Sequence, residues 1–144
     1  MQYLIGEFNH QIDNKNRIRI PNKLAGDEKG FYFAPGLDGC LNVYYEEAFN
    51  ALTTQLRDKY KTSDVEGQKA IRTFAKNFEW IEGDAQGRMI LPAQLKEYAK
   101  IVKDIVTCGA GSHIEIWAKE VHDEYFKNEK ENLGAVYMNL DICL

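Results

Sequence analysis

The sequence has few cysteines, no long apolar run and no excess of positive charge, and each absence argues against a class of protein. Three cysteines, an odd number without a C-x-x-C pair, fit buried reduced thiols better than a disulfide framework. No apolar stretch approaches the roughly 20 residues of a membrane span. The first residues also lack the basic flank and apolar core of a secretory signal. We therefore expect a cytoplasmic protein without a membrane partner, built as one domain or as two small halves packed together.

Patterns typical of catalysis and of metal binding are missing as well. No carboxylate pair and no Ser/His/Asp arrangement indicates an active site, so no catalytic residue is predicted. Cys40, Cys108 and His113 are of ligand type, but their spacing matches no paired-ligand motif, and interior positions explain them better. His122 lies in a charged segment and is expected to be solvated. The sequence predicts neither an enzyme nor a metal site, and it implies no cofactor.

The net charge of −4 disfavours nucleic-acid binding, but the charge is unevenly distributed along the chain. Four basic residues and one acidic residue lie between Asp13 and Lys23. Six acidic and three basic residues lie between Glu115 and Glu131. The chain therefore combines a basic loop near its start with an acidic helix near its end. On charge alone, two ordinary solvated faces explain this polarity better than a binding surface does.

What the sequence does contain is an internal repeat. Residues 13–24 are DNKNRIRIPNKL and residues 84–95 are DAQGRMILPAQL, with Asp, Arg, Pro and Leu in register. Residues 36–44 and 109–117 continue the similarity with an offset two residues longer. A recurrence in fixed order over about 40 residues indicates duplicated structural units. Two such units would present the same loop twice, which suits a binder of repeated targets better than an enzyme with a single cleft.

Short periodic segments predict the secondary structure. Alternating apolar and polar residues predict strands at 8–12 and 17–20. The repeat and its Gly-bearing hairpin loops predict further strands at 31–34, 40–44, 88–91, 104–108 and 113–117. Apolar residues at helical spacing, prolines and charged runs predict a helical turn at 22–26 and helices at 46–61, 64–77, 93–100 and 118–132. Ser63 and Glu66 have the spacing of a capping box. The tail at 133–144 is compatible with an ordered edge segment or with disorder.

These elements divide the chain into four parts. A first repeat occupies 5–47, a helical connection 48–77, a second repeat 78–120, and a C-terminal helix and tail 121–144. The four short strands of one repeat cannot bury both faces of a sheet alone. Two repeats packed face to face can do so by closing into a small barrel, so we expect the two halves to interlock.

The two repeat loops contain the residues that most need explaining. An Asp at the start of a tight turn accepts hydrogen bonds from backbone N–H groups two residues on, and it can also pair with the Arg four residues later. The fourth position of each loop suits a residue with positive φ. The predicted loop-structuring residues are Asp13, Asn16, Asp84 and Gly87. An arginine held in this way, with a lysine beside it, suits phosphate or guanine edges. The alternative is that the Asp–Arg pair only staples the hairpin.

Four segments, taken in order, resemble one known family. They are GEFNHQIDNKNRIRIP (6–21), GLDGCL (36–41), DAQGRMILP (84–92) and HIEIW (113–117). Together they resemble the MraZ family of bacterial transcription regulators, relatives of the AbrB-like swapped-hairpin DNA-binding domains. The resemblance covers nearly the whole chain. It implies an α+β, mainly β fold in which two AbrB-like swapped-hairpin repeats form a double-split β-barrel with flanking helices.

The same resemblance implies a function. Members of the family assemble into rings and bind short direct DNA repeats ahead of the division and cell-wall gene cluster, usually repressing it. The expected partners are therefore double-stranded DNA and further copies of the chain, and the expected location is the nucleoid. The family's Asp-x-x-x-Arg signature falls on the two repeat loops. The expected DNA-binding residues are Asn14, Lys15, Arg17, Arg19, Gln86 and Arg88.

Two positions and the tail depart from the family's pattern. Asn16 replaces a usual Gly, but Asn tolerates left-handed φ, so the loop should keep its shape. Gln86 replaces a common Lys, so the second loop should bind phosphate more weakly. The tail is apolar, whereas a charged tail is expected.

The alternative function is a protein-interaction module of antitoxin-like type, acting through the tail at 136–144. The charge of the first loop distinguishes the two functions, because a partner-binding module would not need so many basic residues together. These residues are Lys15, Arg17, Arg19 and Lys23. The basic loop therefore favours DNA as the partner.

Overall fold

A computed structural model describes residues 2–60 and 64–143, whose strands form two antiparallel sheets. The strands are β1 (Glu7–Gln11), β2 (Arg17–Arg19), β3 (Gly30–Pro35), β4 (Leu41–Tyr44), β5 (Glu79–Glu82), β6 (Arg88–Ile90), β7 (Asp104–Gly109) and β8 (Ile114–Ala118). The helices are α1 (Asn22–Ala25), α2 (Glu46–Lys59), α3 (Val65–Asn77), α4 (Ala93–Tyr98), α5 (Lys119–Tyr125) and α6 (Glu129–Leu140). The predicted α+β class is confirmed.

The strands of the two repeats are paired with each other. The larger sheet has six strands in the order β1-β7-β8-β4-β3-β5, and β2 and β6 form a separate two-stranded ribbon. The first strand of each repeat pairs with the third strand of the other, β1 with β7 and β5 with β3. Neither repeat therefore completes a sheet of its own. This exchange gives each short strand the partners it needs to bury its apolar side.

The strands do not close into a barrel, so the closure expected from the sequence is not found. Within the described residues, β1 and β5 are the two edges of the six-stranded sheet. The β2–β6 ribbon covers one face of that sheet, with Ile18 and Met89 in the same apolar core. The ribbon cannot extend because Pro21 and Pro92 follow its strands closely and have no N–H to donate.

The core lies between the ribbon and the six-stranded sheet. Alternate residues of the central strands point into it, as the pleat of a strand requires. The largest fully buried apolar side chains on the sheet are Phe33, Leu41, Val43, Ile105, Ile114 and Ile116. Leu24 of α1 and Leu95 of α4 close the core beside the ribbon. None of the helices in the described part of the chain has the length and apolar composition needed to span a bilayer.

Helices α2 and α3 pack through aromatic rings against the edge of the larger sheet. The ring of Phe49 stacks on Tyr32, with centroids 3.8 Å apart, and also contacts Phe78 at 5.2 Å. The predicted N-cap Ser63 lies outside the described residues. Asp64 holds the N-cap position of α3, and its side chain accepts a hydrogen bond from the backbone N–H of Glu66 at 3.2 Å.

The C-terminal region differs from its prediction. The single helix expected at 118–132 is two helices, α5 and α6, and the tail is helical as far as Leu140. Phe126 ends α5 because its ring is anchored on Trp117 and His122, at centroid distances of 5.4 and 4.8 Å. Such an anchor is a tertiary contact, which the charge pattern of the segment does not reveal.

Candidate nucleic-acid interface

The first repeat loop is organised by the carboxylate of Asp13. Its Oδ1 accepts hydrogen bonds from the backbone N–H groups of Lys15 and Arg17, at 2.9 and 2.8 Å. Its Oδ2 accepts a charge-assisted hydrogen bond from Nε of Arg17 at 2.7 Å. Asn16 closes the turn with φ of 60°. One carboxylate therefore fixes both the loop backbone and the direction of the arginine.

The second loop repeats these bonds. Asp84 accepts from the backbone N–H groups of Gln86 and Arg88, both at 2.9 Å, and from Nε of Arg88 at 2.9 Å. Gly87, at the place of Asn16, has φ of 80°. The two loops thus share one backbone conformation and one Asp–Arg geometry.

Both loop carboxylates are held in the ionised form. The backbone N–H of Arg17 is the largest cause that lowers the pKa of Asp13 below its ordinary value of 3.8, and the guanidinium acts in the same direction. The pKa of Asp84 is lowered in the same way by the backbone N–H and side chain of Arg88. At neutral pH each arginine therefore faces a charged partner that fixes its orientation.

The two arginines differ in how much of the guanidinium remains available. Nη2 of Arg88 donates to Oε1 of Gln86 at 2.8 Å. Lys15 occupies the equivalent place in the first loop and has no acceptor to offer. Within the described residues, Asp13 is the only side chain hydrogen-bonded to Arg17, so the Nη groups of Arg17 are free to donate to a ligand.

The ribbon places three arginines on its outer face. In the antiparallel register, Arg17 lies opposite Ile90 and Arg19 lies opposite Arg88. Residues directly opposite point to the same side of a sheet, and Ile18 and Met89 between them are buried at 2% exposure. Arg17, Arg19 and Arg88 therefore point away from the core. The loops lie at opposite ends of this ribbon, because each one precedes a different strand.

Lys96 joins this surface although no sequence pattern indicated it. Its Nζ donates to Oδ1 of Asn16 at 2.8 Å, across 80 residues of sequence. Pro92 opens α4 and the helix carries Lys96 to the first loop. The corresponding residue of the first repeat is Ala25, so comparison of the repeats gave no signal.

The acidic helix lies on the other side of the larger sheet. Ile105 belongs to the core that contains Ile18, whereas its neighbour Val106 packs with Trp117 and Phe126. Adjacent strand residues point to opposite faces. Helix α5, which is followed directly by Phe126, is therefore separated from the arginine face by the six-stranded sheet.

Comparison with known proteins places this two-fold arrangement in a family. The family model described as "MraZ protein, putative antitoxin-like" matches residues 3–69 and 75–139. The chain belongs to the MraZ family. This confirms the resemblance found in the sequence. The two matched segments contain the two repeat loops of this MraZ-family chain.

Bacterial relatives named "Transcriptional regulator MraZ" are similar over most of their length. The relative from Clostridium tetani is 39% identical over 122 residues, covering 84% of this chain and 85% of the relative. The one from Clostridium beijerinckii is 43% identical over 125 residues, with the same coverage. The one from Thermoanaerobacter pseudethanolicus is 36% identical over 139 residues, covering 96% of both chains.

Of the ligand-type residues considered in the sequence, Cys40 is buried as expected, whereas His122 differs from its prediction. His122 is buried at 8% exposure, so its predicted solvation was wrong. Its ring contacts Phe126 and its Nε2 lies 3.1 Å from Oε1 of Glu7. Glu7, Cys108 and His122 bring one potential ligand atom each within 4.8 Å of one another, within the described residues. Spacing along the chain could not find this group, because strand pairing assembles it.

Proposed function

We propose that this MraZ-family protein is a sequence-specific DNA-binding transcription regulator, located in the cytoplasm at the nucleoid. Its DNA-binding surface is the outer face of the β2–β6 ribbon together with the two repeat loops. The observation that supports this most strongly is the alignment of Arg17, Arg19 and Arg88 on one exposed ribbon face. Two of these arginines are held in direction by loop carboxylates.

The width of the two-stranded ribbon suits the major groove of DNA, which is where we propose that it binds. The major groove of B-DNA admits a two-stranded β-ribbon, and arginine is the residue that most often reads guanine there. Nη groups of Arg17 and Arg88 are placed to read base edges or phosphates. Lys15 and Asn14, at the exposed tip of the first loop, contact the backbone of the DNA. Gln86 keeps Arg88 in position and leaves its own amide N–H groups for an acceptor.

The proposed regulator acts as an oligomer. One chain offers few phosphate contacts, and the loss of each such contact lowers affinity steeply at physiological salt. A ring of copies would set several arginine faces against successive direct repeats at high effective concentration. We further propose that the strand pairs exchanged between the repeats are the swapped hairpins of a double-split barrel, a form in which the two sheets stay separate and do not close. The proposed output is repression of the division and cell-wall gene cluster, including the protein's own promoter.

Binding to a labelled duplex tests this function. The duplex comes from upstream of the protein's own gene and keeps its native direct repeats, and a scrambled duplex of equal composition is the control. We expect strong preference for the native repeats and a steep loss of affinity as salt rises. Equal weak binding to both duplexes would remove the DNA function in this form.

A double variant, Arg17→Ala with Arg88→Ala, tests the residues. Each contact to a base contributes roughly 1–3 kcal/mol, so we expect affinity for the native duplex to fall by about 30-fold or more. Arg57→Ala, which removes an exposed arginine from α2, is the matched control and should change little. Light scattering should give the same oligomer for all variants. Unchanged DNA binding by the double variant would show that the loops are not the interface.

One observation favours the alternative function. Helix α6 and the residues after it expose many apolar side chains, as a surface for a protein partner would. They are Leu133, Val136, Tyr137, Met138, Leu140 and Ile142. If neither duplex binds, a protein-interaction module acting through this tail becomes the leading candidate. Pull-down with the full chain against a chain bearing Val136→Asp and Leu140→Asp would then test it.

A further inference from the structure

Three residues far apart in sequence meet on the face of the larger sheet that lies opposite the ribbon. Glu7 of β1 is paired with Cys108 of β7, so their side chains lie side by side. Helix α5 packs against β7 and β8, and its residue His122 reaches the same place. One ligand atom of each residue lies within 4.8 Å of the other two. A carboxylate, a thiol and an imidazole are the three ligand types that zinc most often uses.

The hydrogen bonds of His122 need a cation. Its Nε2 lies 3.1 Å from Oε1 of Glu7, and its Nδ1 lies 3.1 Å from Oδ1 of Asp123. A neutral imidazole has one N–H donor and one acceptor nitrogen, whereas an ionised carboxylate only accepts. One of the two contacts would then join two acceptors. A second proton on the ring, or a metal ion at Nε2, resolves the conflict.

We propose that Glu7, Cys108 and His122 bind one divalent zinc-class ion. The ion would lie between the Glu7 carboxylate, the Cys108 sulfur and Nε2 of His122. Water would complete a tetrahedron, as it does where three protein ligands hold zinc. The mixed sulfur, nitrogen and oxygen set selects Zn²⁺ or Co²⁺ over Mg²⁺ and Ca²⁺, which prefer oxygen ligands alone.

The surroundings of His122 match those of a metal-bound histidine. Such histidines usually donate the second ring N–H to a carboxylate, which fixes the ring orientation. Asp123 lies at Nδ1 in this way, and Nζ of Lys119 holds Asp123 in turn at 3.0 Å. The ring of His122 is packed against Phe126 and Trp117, so it has little freedom to turn. Asp123 is therefore a positioning residue for the proposed site.

The charge around the thiol also favours a cation. Glu115 lies directly opposite Cys108 on β8, so the thiol has a carboxylate on each side. A divalent ion would offset this negative charge and take the sulfur as a thiolate. It would also join α5 to the two strands beneath it.

Metal titration of the full, tag-free, chelator-treated chain tests the proposal. We expect one Zn²⁺ per chain and a rise in thermal midpoint with zinc concentration. Co²⁺ should give the visible bands of a tetrahedral site and a thiolate-to-cobalt charge-transfer band in the near ultraviolet. Absence of zinc binding at millimolar concentration would overturn the proposal.

Variants identify the ligands. Cys108→Ser should abolish the charge-transfer band, whereas Cys40→Ser, which alters the buried thiol of a neighbouring strand region, should keep it. Glu7→Gln should weaken zinc binding by more than roughly 100-fold, and Asp123→Asn by about 10- to 100-fold. Both changed side chains are exposed, so neither should unfold the chain, and circular dichroism checks this. Equal loss of binding in Cys40→Ser, or a band unchanged in Cys108→Ser, would contradict the assignment.

Discussion

Arg19 and Arg88 lie directly opposite each other in the β2–β6 ladder, on the solvent side of the ribbon. Like charges in this arrangement destabilise a sheet, by roughly 0.2–1 kcal/mol. A ligand with negative charge would relieve the repulsion. We therefore propose that this face binds an anion, with some cost to the stability of the free protein.

The variant Arg19→Thr tests that interpretation. We expect it to raise the free energy of unfolding by up to about 1 kcal/mol, since the repulsion disappears, and to lower affinity for the native duplex about tenfold. Urea denaturation and the duplex assay measure the two effects. Arg17→Thr is the control, because it has the same strand propensity but faces Ile90 and loses the Asp13 pair. If both variants were more stable, the gain would come from the strand propensity of threonine and not from the loss of charge repulsion.

The variant Asp13→Asn distinguishes two effects on DNA affinity, the orientation of the Arg17 side chain and the negative charge of the loop. It removes a negative charge from the proposed DNA-binding surface, so electrostatics alone predicts tighter binding. It also replaces the acceptor of Arg17 Nε, and a hydrogen bond between charged groups contributes roughly 1.5–3 kcal/mol. We expect affinity for the duplex to fall by about tenfold because the arginine is no longer held. Asp58→Asn removes the same charge from α2 and should leave affinity almost unchanged. Tighter binding by Asp13→Asn would contradict the role given to the carboxylate.

Positive φ at the fourth loop position is expected to govern loop stability. In Gly87→Ala the new Cβ would lie 3.7 Å from Nε of Arg19, which is an ordinary contact and not a clash. The main cost of the substitution is therefore backbone strain at φ of 80°. We expect a loss of about 1–2 kcal/mol in the free energy of unfolding. Asn16→Gly, at the equivalent place, should be nearly neutral. Urea denaturation of both variants checks this, and an unaffected Gly87→Ala would mean that the second loop has another shape.

The loop carboxylates should titrate below the ordinary Asp value of 3.8. Because the pKa is lower in the folded chain, the bonds of Asp13 stabilise the fold above the unfolded pKa and are lost as pH falls through the folded one. Carboxyl ¹³C NMR measures the midpoint. In Arg17→Ala the titration midpoint of Asp13 should rise but stay below 3.8. The backbone N–H of residue 17, the largest cause of the lowered pKa, still donates to the carboxylate. Asp84 in the same variant serves as the internal control, and a shift there would point to a global change.

Most elements of the fold could be predicted from the sequence because their signals are local. Alternation, proline positions and turn residues identified the described strands except β5, for which no range was predicted, and the repeat showed that two like units are present. The break at Phe126 was missed because a ring anchored on Trp117 causes it. The barrel was expected from the need to bury sheet faces, but a ribbon covering an open sheet meets that need as well.

The sequence by itself determined the loops. Asp13 and Arg17 are four residues apart, so their hydrogen bonds form wherever the turn forms, and Asn16 provides the φ that the turn requires. Tertiary structure decided what surrounds them. The opposition of Arg19 and Arg88, the bond from Lys96 to Asn16 and the approach of His122 to Glu7 join residues as many as 115 positions apart. Such contacts depend on which strands pair and which face a helix covers, and burial of the whole core selects that arrangement.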